Sequence, residues 1–285
     1  YIGEEDAMGT LLTGLDNLEY RGYDSAGVAL KNGRGVDLVK REGEVAELRA
    51  AADRLDRDGH LGIGHTRWST HGPPTDANAH PHTDCSNEVA VVHNGIIDNY
   101  DSLRARLREA GHEFTSETDT EVVPHLIEAY LAEGLDPEDA FRRAIADLDG
   151  SYAIAAVFAD TDEIYATRSG SPLVVGVGEN AYYLASDVPA FLEFTKDVIY
   201  IEDGDVAVLT GDRCTITDLD GDAVDRSVDT VEWSAEGAEK GGFEHYMLKE
   251  IHEQPTALER ATRGRALQDR RVTDGGDAAG ELSAD

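Results

Sequence analysis

The chain has 285 residues, 40% of them apolar, enough for a sizeable core in one large domain or two smaller ones. Its 58 acidic and 25 basic residues leave a net charge of −33, a surface that repels nucleic acid and anionic membrane and excludes both as partners. No run approaches the ~18 apolar residues of a membrane span, and two cysteines are too few for a disulfide framework, so a reducing compartment, the cytoplasm, is expected. The acids are scattered, as in DRLDRDGH, LDPEDA and IEDGD, and lysine is scarce beside arginine. This pattern reads as a protein kept soluble in high salt, as in a halophile.

Met8, Leu11, Leu12, Leu15 and Leu18 recur at helical spacing, so residues 7–20 are expected to form an amphipathic helix. The turn YRGYDSAG follows, and then two strands, 27–30 and 36–40, joined by the hairpin signal Lys31-Asn32-Gly33. Residues 44–55 read as a helix and 61–65 as a strand. The apolar run VAVV (89–92) is a buried strand that delivers His93-Asn94-Gly95, and 98–110 is a helix. SETDTE (116–121) opens the next helix, with Thr118 and Glu121 at capping-box spacing and Pro124 in or near its first turns. Asp136-Pro137, an N-cap followed by proline at the first helical position, starts a helix through Leu148. From Ser151 the pattern changes to short strands at 152–158, 163–167, 173–177, 181–184, 198–201, 206–209 and 214–217. Strands and helices come in blocks, which argues for an α+β fold over a doubly wound one. A linker rich in Gly, Glu and Asp precedes FEHYMLKEIHEQP, which starts a new helical segment.

The segment that stands out is GHTRWSTHG (64–72), stopped by Gly72-Pro73-Pro74. Arg67 offers a planar fork of donors suited to a carboxylate, and Trp68 a flat apolar wall beside it. Taken alone, the same residues fit a structural loop whose arginine pairs internally. Asp119 alone fits an acid at a helix start, Asn94-Gly95 alone a type I′ turn, and Arg21 alone a structural ion pair. His65, His71, His80, His82 and His93 crowd one region, and His80-Pro81-His82 has the look of a ligand pair. No carboxylates are arranged with them, so no metal or other cofactor is expected. Cys85, in the turn 83–87, lacks a free α-amine to activate it and reads as an ordinary rim thiol.

LEYRGYDSAG, GHTRWSTHG, NAHPH, VVHNGIIDN, SETDTE, RSGSPLVVG and HYMLKEIHEQP occur in this order along nearly the whole chain. Together they resemble the glutaminase domain of the glucosamine-6-phosphate synthases (glutamine–fructose-6-phosphate aminotransferases, isomerizing), which are N-terminal-nucleophile amidotransferases. The resemblance implies a four-layer αββα sandwich in which an N-terminal cysteine, with its own α-amine as base, attacks the side-chain amide of L-glutamine. It implies that Arg67 holds the α-carboxylate of glutamine and Asp119 its α-ammonium. The Asn94 side chain and the Gly95 N–H would form the oxyanion hole. Trp68, Thr70 and His71 would line the pocket, and Arg21 would help order the N-terminal strand. The ordered set favours these roles for Arg67, Asp119, Asn94 and Gly95 and leaves both readings open for Arg21 and His71.

The family carries Cys-Gly-Ile-Val-Gly ahead of the Tyr-Ile-Gly that opens this sequence, and its isomerase half follows the last motif. The expectation is therefore a fragment of a two-domain enzyme: a glutaminase domain over 1–225, a linker over 226–242, and over 243–285 the opening helix of a truncated sugar-phosphate isomerase domain. Fructose 6-phosphate would then be met only through that missing domain, and the full-length protein would be a homodimer. Two alternatives stand beside this reading. One is an amidophosphoribosyltransferase-like glutaminase, and the other is a glutamine-binding module made inactive by the absent cysteine.

Overall fold

A computed structural model describes residues 1–33, 35–52, 59–69, 72–232, 251–252 and 254. The chain divides into Tyr1–Glu232 and Trp233–Asp285. In the second unit the described residues, Ile251, His252 and Gln254, are helical; residues 226–232 of the expected linker belong to the first unit and include the strand Asp229–Thr230, while the rest of the linker and most of the opening helix lie outside the described residues.

The first unit is built on two antiparallel sheets. β1 (Ile2–Gly3), β2 (Ser25–Asn32), β3 (Gly35–Glu42), β4 (Leu61–Arg67), β9 (Val174–Val177), β10 (Ala181–Ala185), β11 (Asp197–Tyr200) and β14 (Asp229–Thr230) form the larger one, in the order β14-β11-β9-β10-β1-β4-β2-β3. The smaller one contains β5 (His82–Thr83), β6 (Val89–Ile97), β7 (Gly150–Phe158), β8 (Ile164–Ser169), β12 (Val206–Leu209) and β13 (Cys214–Thr217), in the order β13-β12-β8-β7-β6-β5.

Side chains that alternate along each strand distribute the core into three layers. Val28 and Leu30 of β2 point to one side and pack with Met8, Leu12 and Leu15 of α1 (Ala7–Leu18) and Leu48 of α2 (Val45–Ala52). Ala29, between them, points to the opposite side and joins Leu61, Ile63, Ala90, Ala153, Ala155 and Val157 in the layer between the sheets. On the smaller sheet Val89, Val91, Ile154 and Ala156 face away from that layer. They pack on Leu103 and Leu107 of α3 (Tyr100–Glu109), Leu126 and Ile127 of α4 (Val122–Ala132), and Phe141 and Ile145 of α5 (Pro137–Ala146). The result is the expected α+β, four-layer αββα sandwich. Gly64 lets α1 lie close on β4, since a Cβ there would stand 3.1 Å from Leu15 Cδ1.

Most elements fall where the sequence predicts them. α5 starts as read, with Asp136 accepting from the Asp139 N–H at 3.0 Å and Pro137 in the first turn. Two local expectations fail. β6 does not stop at Val92 but runs on through His93, Asn94 and Gly95 to Ile97, so Asn94-Gly95 is not the turn that the dipeptide taken alone suggests. Thr118 and Glu121 do not form a capping box, because the Glu121 carboxylate accepts instead from the N–H and hydroxyl groups of Thr115 and Ser116, at 2.6–2.8 Å. Four donors from the preceding bend outcompete the single backbone N–H that a capping box would satisfy.

Candidate active site

β4 of the larger sheet and β6 of the smaller one both open onto a cavity of about 510 Å3. Six of the seven sequence motifs send residues to its wall: Leu18 and Arg21, His65 to Trp68, His80, His93 to Gly95, Thr118 to Thr120, and Ser171 to Leu173. The seventh, HYMLKEIHEQP, falls largely outside the described residues. β1 lies between β4 and β10, which brings Tyr1 to the same wall, with its ring 5.3 Å from that of Tyr183.

Arg67 closes β4 and is buried, as is Asp119 on the same cavity. The guanidinium donates to the carbonyls of Gly72 and Pro73, at 3.3 and 3.4 Å. Burial pulls the Arg67 pKa down, and the negative charges of Asp24 and Asp119 act against that pull. Asp24 also fastens the end of the strand: its N–H donates to the Arg67 carbonyl at 3.1 Å, and its carboxylate accepts from the Ser69 N–H at 2.7 Å. The Asp119 carboxylate does not cap α4. It accepts from the Ile97 N–H of β6 at 2.9 Å, so the acid is fixed to the sheet.

Asn94 is held across the two sheets. His65 of β4 donates from Nε2 to Asn94 Oδ1 at 3.0 Å, which turns the Asn94 amide N–H2 away from the imidazole. Burial pushes the His65 pKa down to about 4, so the ring is neutral near pH 7 and this bond joins two uncharged groups. Gly95 has φ +126°, and a Cβ there would meet the Ser151 carbonyl oxygen of β7 at 1.9 Å. Only glycine fits this register of β6 on β7.

Other expected residues are placed less simply. Trp68 touches the cavity but is 59% exposed, and its ring packs edge-on against Tyr23, with centroids 5.6 Å apart. Arg21 makes an ion pair with Asp187 at 3.2 Å, which ties it to the chain just after β10, the neighbour of β1. Thr70 and His71 lie outside the described residues. The remaining histidines of the crowded region form a dry wall: the His65 and His80 rings pack at a tilt, 4.3 Å apart, and His80 meets His82 edge-on at 4.8 Å. Burial holds His80 and His82 well below their ordinary pKa, helped by their neighbours' positive charge. His82 and His93 hydrogen-bond the hydroxyls of Thr118 and Thr120, at 3.0 and 2.8 Å. Their nitrogens serve hydroxyls rather than a shared ion, and among the described residues they form no convergent ligand set. Cys85 is not an activated thiol, since burial and the Glu128 carboxylate push its pKa up, outweighing the Glu113 backbone hydrogen bond. The role of His65 in holding Asn94 is not readable from sequence, because the two residues belong to different sheets.

The chain matches the glutamine amidotransferase domain family over residues 65–193. Over 258 residues it is 52% identical to the glutamine–fructose-6-phosphate aminotransferase (isomerizing) of Methanothermobacter thermautotrophicus, covering 90% of this chain and 43% of that protein. The chain belongs to the glutamine amidotransferases. The enzyme of the same name from Halobacterium salinarum is 52% identical over 265 residues, covering 93% of this chain and 43% of that protein. Among solved structures, the glutamine phosphoribosylpyrophosphate amidotransferase of B. subtilis, complexed with ADP and GMP, superimposes with a TM-score of 0.67 and 25% identity. That match covers 76% of this chain and 48% of the other. The chain thus spans less than half the length of the curated relatives it matches.

Proposed function

We propose that this domain hydrolyses the side-chain amide of L-glutamine, and that in a full-length glucosamine-6-phosphate synthase the released ammonia converts fructose 6-phosphate to glucosamine 6-phosphate. The observation that carries the reading is the pair of buried, opposite charges, Arg67 and Asp119, on the wall of one cavity that also holds Asn94 and Gly95. Free glutamine is a zwitterion, so its site needs one cation for the α-carboxylate and one anion for the α-ammonium. In this reading Arg67 binds the carboxylate and Asp119 the ammonium. The attacking thiolate belongs to the cysteine that the family carries ahead of Tyr-Ile-Gly, with its α-amine, which titrates near pH 8, as base. Attack on the amide carbon puts negative charge on its oxygen, which the Asn94 amide and the Gly95 N–H receive. The amide nitrogen takes the proton and leaves as ammonia, and water then cleaves the γ-glutamyl thioester to glutamate.

The sugar-phosphate aminotransferase is favoured over the phosphoribosyl enzyme by 52% against 25% identity. The test is to precede Tyr1 with Cys-Gly-Ile-Val-Gly, leave the cysteine amine free, and measure ammonia release from glutamine. Turnover is expected in that protein and not in its Cys→Ala counterpart, with glutamine binding kept in both. Equal ammonia release from the two would overturn the mechanism.

A further inference from the structure

Away from the cavity, three segments distant in sequence bring ligating atoms together. Cys85 sits in the turn between β5 and β6, His112 follows α3, and His125 and Glu128 lie one turn apart on α4. One ligand atom from each lies within 4.8 Å of all the others. We propose that Cys85, His112, His125 and Glu128 form a structural site for one zinc-class divalent cation, a role separate from glutamine hydrolysis.

The distances fit such an ion. Ligand bonds of about 2.0–2.3 Å at a tetrahedral centre separate neighbouring ligand atoms by about 3.3–3.8 Å. Cys85 Sγ stands 3.8 Å from His112 Nδ1 and 3.6 Å from His125 Nδ1, and His125 Nδ1 stands 3.3 Å from Glu128 Oε2. The remaining close pair, His112 Nδ1 and Glu128 Oε2 at 2.7 Å, is a hydrogen bond whose proton the cation would displace. One thiolate, two imidazoles and one carboxylate suit zinc and not the oxygen-seeking magnesium or calcium. Four protein ligands leave no open position, which makes the site structural.

The second observation concerns the far side of His125. The residue is 1% exposed, and among the described residues its Nε2 has no hydrogen-bond partner. The nearest carboxylate oxygen is Glu121 Oε1 at 3.9 Å, and Glu121 already accepts from Thr115 and Ser116. With its single proton on Nδ1, pointing to Glu128, a neutral His125 would aim a buried lone pair at that carboxylate. A cation on Nδ1 moves the proton to Nε2, where it faces Glu121. This is the carboxylate–histidine–metal arrangement that orients ligating imidazoles. The turn that presents Cys85 is itself fixed, because Asp84 Oδ1 accepts from the N–H groups of Glu88 and Val89, both at 2.8 Å. Bound metal would staple the β5–β6 turn and the segment after α3 to α4.

The test uses the full chain, stripped with a chelator and titrated with Co2+. The expected result is saturation at one equivalent, with the visible bands of tetrahedral cobalt and a thiolate-to-cobalt charge-transfer band. Cys85→Ser and His125→Gln should abolish that band, and Cys214→Ser should keep it. In the unaltered chain, one equivalent of Zn2+ should raise the melting temperature and protect Cys85, read by mass spectrometry, from alkylation. The protection measurement decides the matter even if the variants fold poorly. Absence of one-equivalent saturation, a charge-transfer band that survives Cys85→Ser, or alkylation of Cys85 unchanged by zinc would each overturn the proposal. Each would leave a buried imidazole hydrogen-bonded to Glu128, with Glu121 behind it.

Discussion

Histidines gather in two places in this molecule. Around the cavity, His65, His80, His82 and His93 pack ring against ring, and one nitrogen each of His65, His82 and His93 goes to Asn94, Thr118 and Thr120. Between α3 and α4, His112 and His125 meet edge-on at 5.3 Å and turn both Nδ1 atoms toward one thiol and one carboxylate. The charges around the two groups differ in balance. His82 feels Lys40 and Arg67 against Glu121, and His80 feels Arg67, so the nearby cations disfavour a further positive charge in the first group. The second group has Glu128 within hydrogen-bond reach and Glu121 behind it. The number of imidazoles therefore says little about a site. What decides is whether lone pairs converge, and whether the surrounding charge favours a proton-free ring beside a cation or a neutral ring in a dry wall.

The largest effect that would sharpen this contrast lies at the point where the dry wall meets the chemistry. If neutral His65 exists to aim the Asn94 amide, Asn94→Ala in the cysteine-bearing protein should lower turnover by about 10²–10³-fold, some 3–4 kcal/mol of barrier. Its melting temperature should change little. Normal turnover, measured as ammonia release at saturating glutamine, would break the link between the wall and the oxyanion hole.

Acid should reveal the wall next. His65, His80 and His82 have folded pKa values below the unfolded 6.5, so the unfolded chain binds more protons as the pH falls, and stability drops with it. The loss begins near pH 6.5 and, for His65, continues to about pH 4. Each such histidine steepens it by about 1.4 kcal/mol per pH unit within its window. Urea unfolding at fixed salt between pH 7 and 5 should show this slope, and His80→Asn should make it shallower. A flat profile would mean that the wall is not made of neutral rings.

The smallest expected effect per residue belongs to the surface. With a net charge of −33, self-repulsion is screened as the Debye length falls to about 3 Å at 1 M salt, so the melting temperature should climb with KCl into the molar range. Both histidine groups are buried or half-buried, and their contributions should be nearly independent of salt. A melting temperature that does not respond to KCl would remove the high-salt reading of the acidity.

Much of this architecture is written in local pattern. The apolar runs of β2, β6 and β7 give strands, and the Asp136-Pro137 start gives α5, because those signals act over a few neighbouring residues. The sequence misled where long-range partners compete with local ones. Asn94-Gly95 has the chemistry of a turn, but pairing with Tyr152 and Ala153 keeps it in β6. Thr118 and Glu121 have capping-box spacing, but Thr115 and Ser116 take the glutamate. The cavity was legible as an ordered set of motifs, whereas the grip of His65 on Asn94 joins residues 29 apart on separate sheets. The Cys85 group was legible only in part: His125 and Glu128 at i, i+3 on one helix are a visible pair, but Cys85 lies 40 residues from His125.

The central claim is that the cavity binds glutamine by its two charged ends, and calorimetric titration of the chain with L-glutamine tests it most directly. Saturable binding to one site is expected, weakened by about 2–5 kcal/mol in Arg67→Ala and in Asp119→Ala, the cost of removing one partner of a buried charged contact. Circular dichroism should show both variants folded, and D-glutamine should bind weakly to the unaltered chain. If folded Arg67→Ala and Asp119→Ala bind L-glutamine as tightly as the unaltered chain, the two residues are not the poles of the site and the account is wrong.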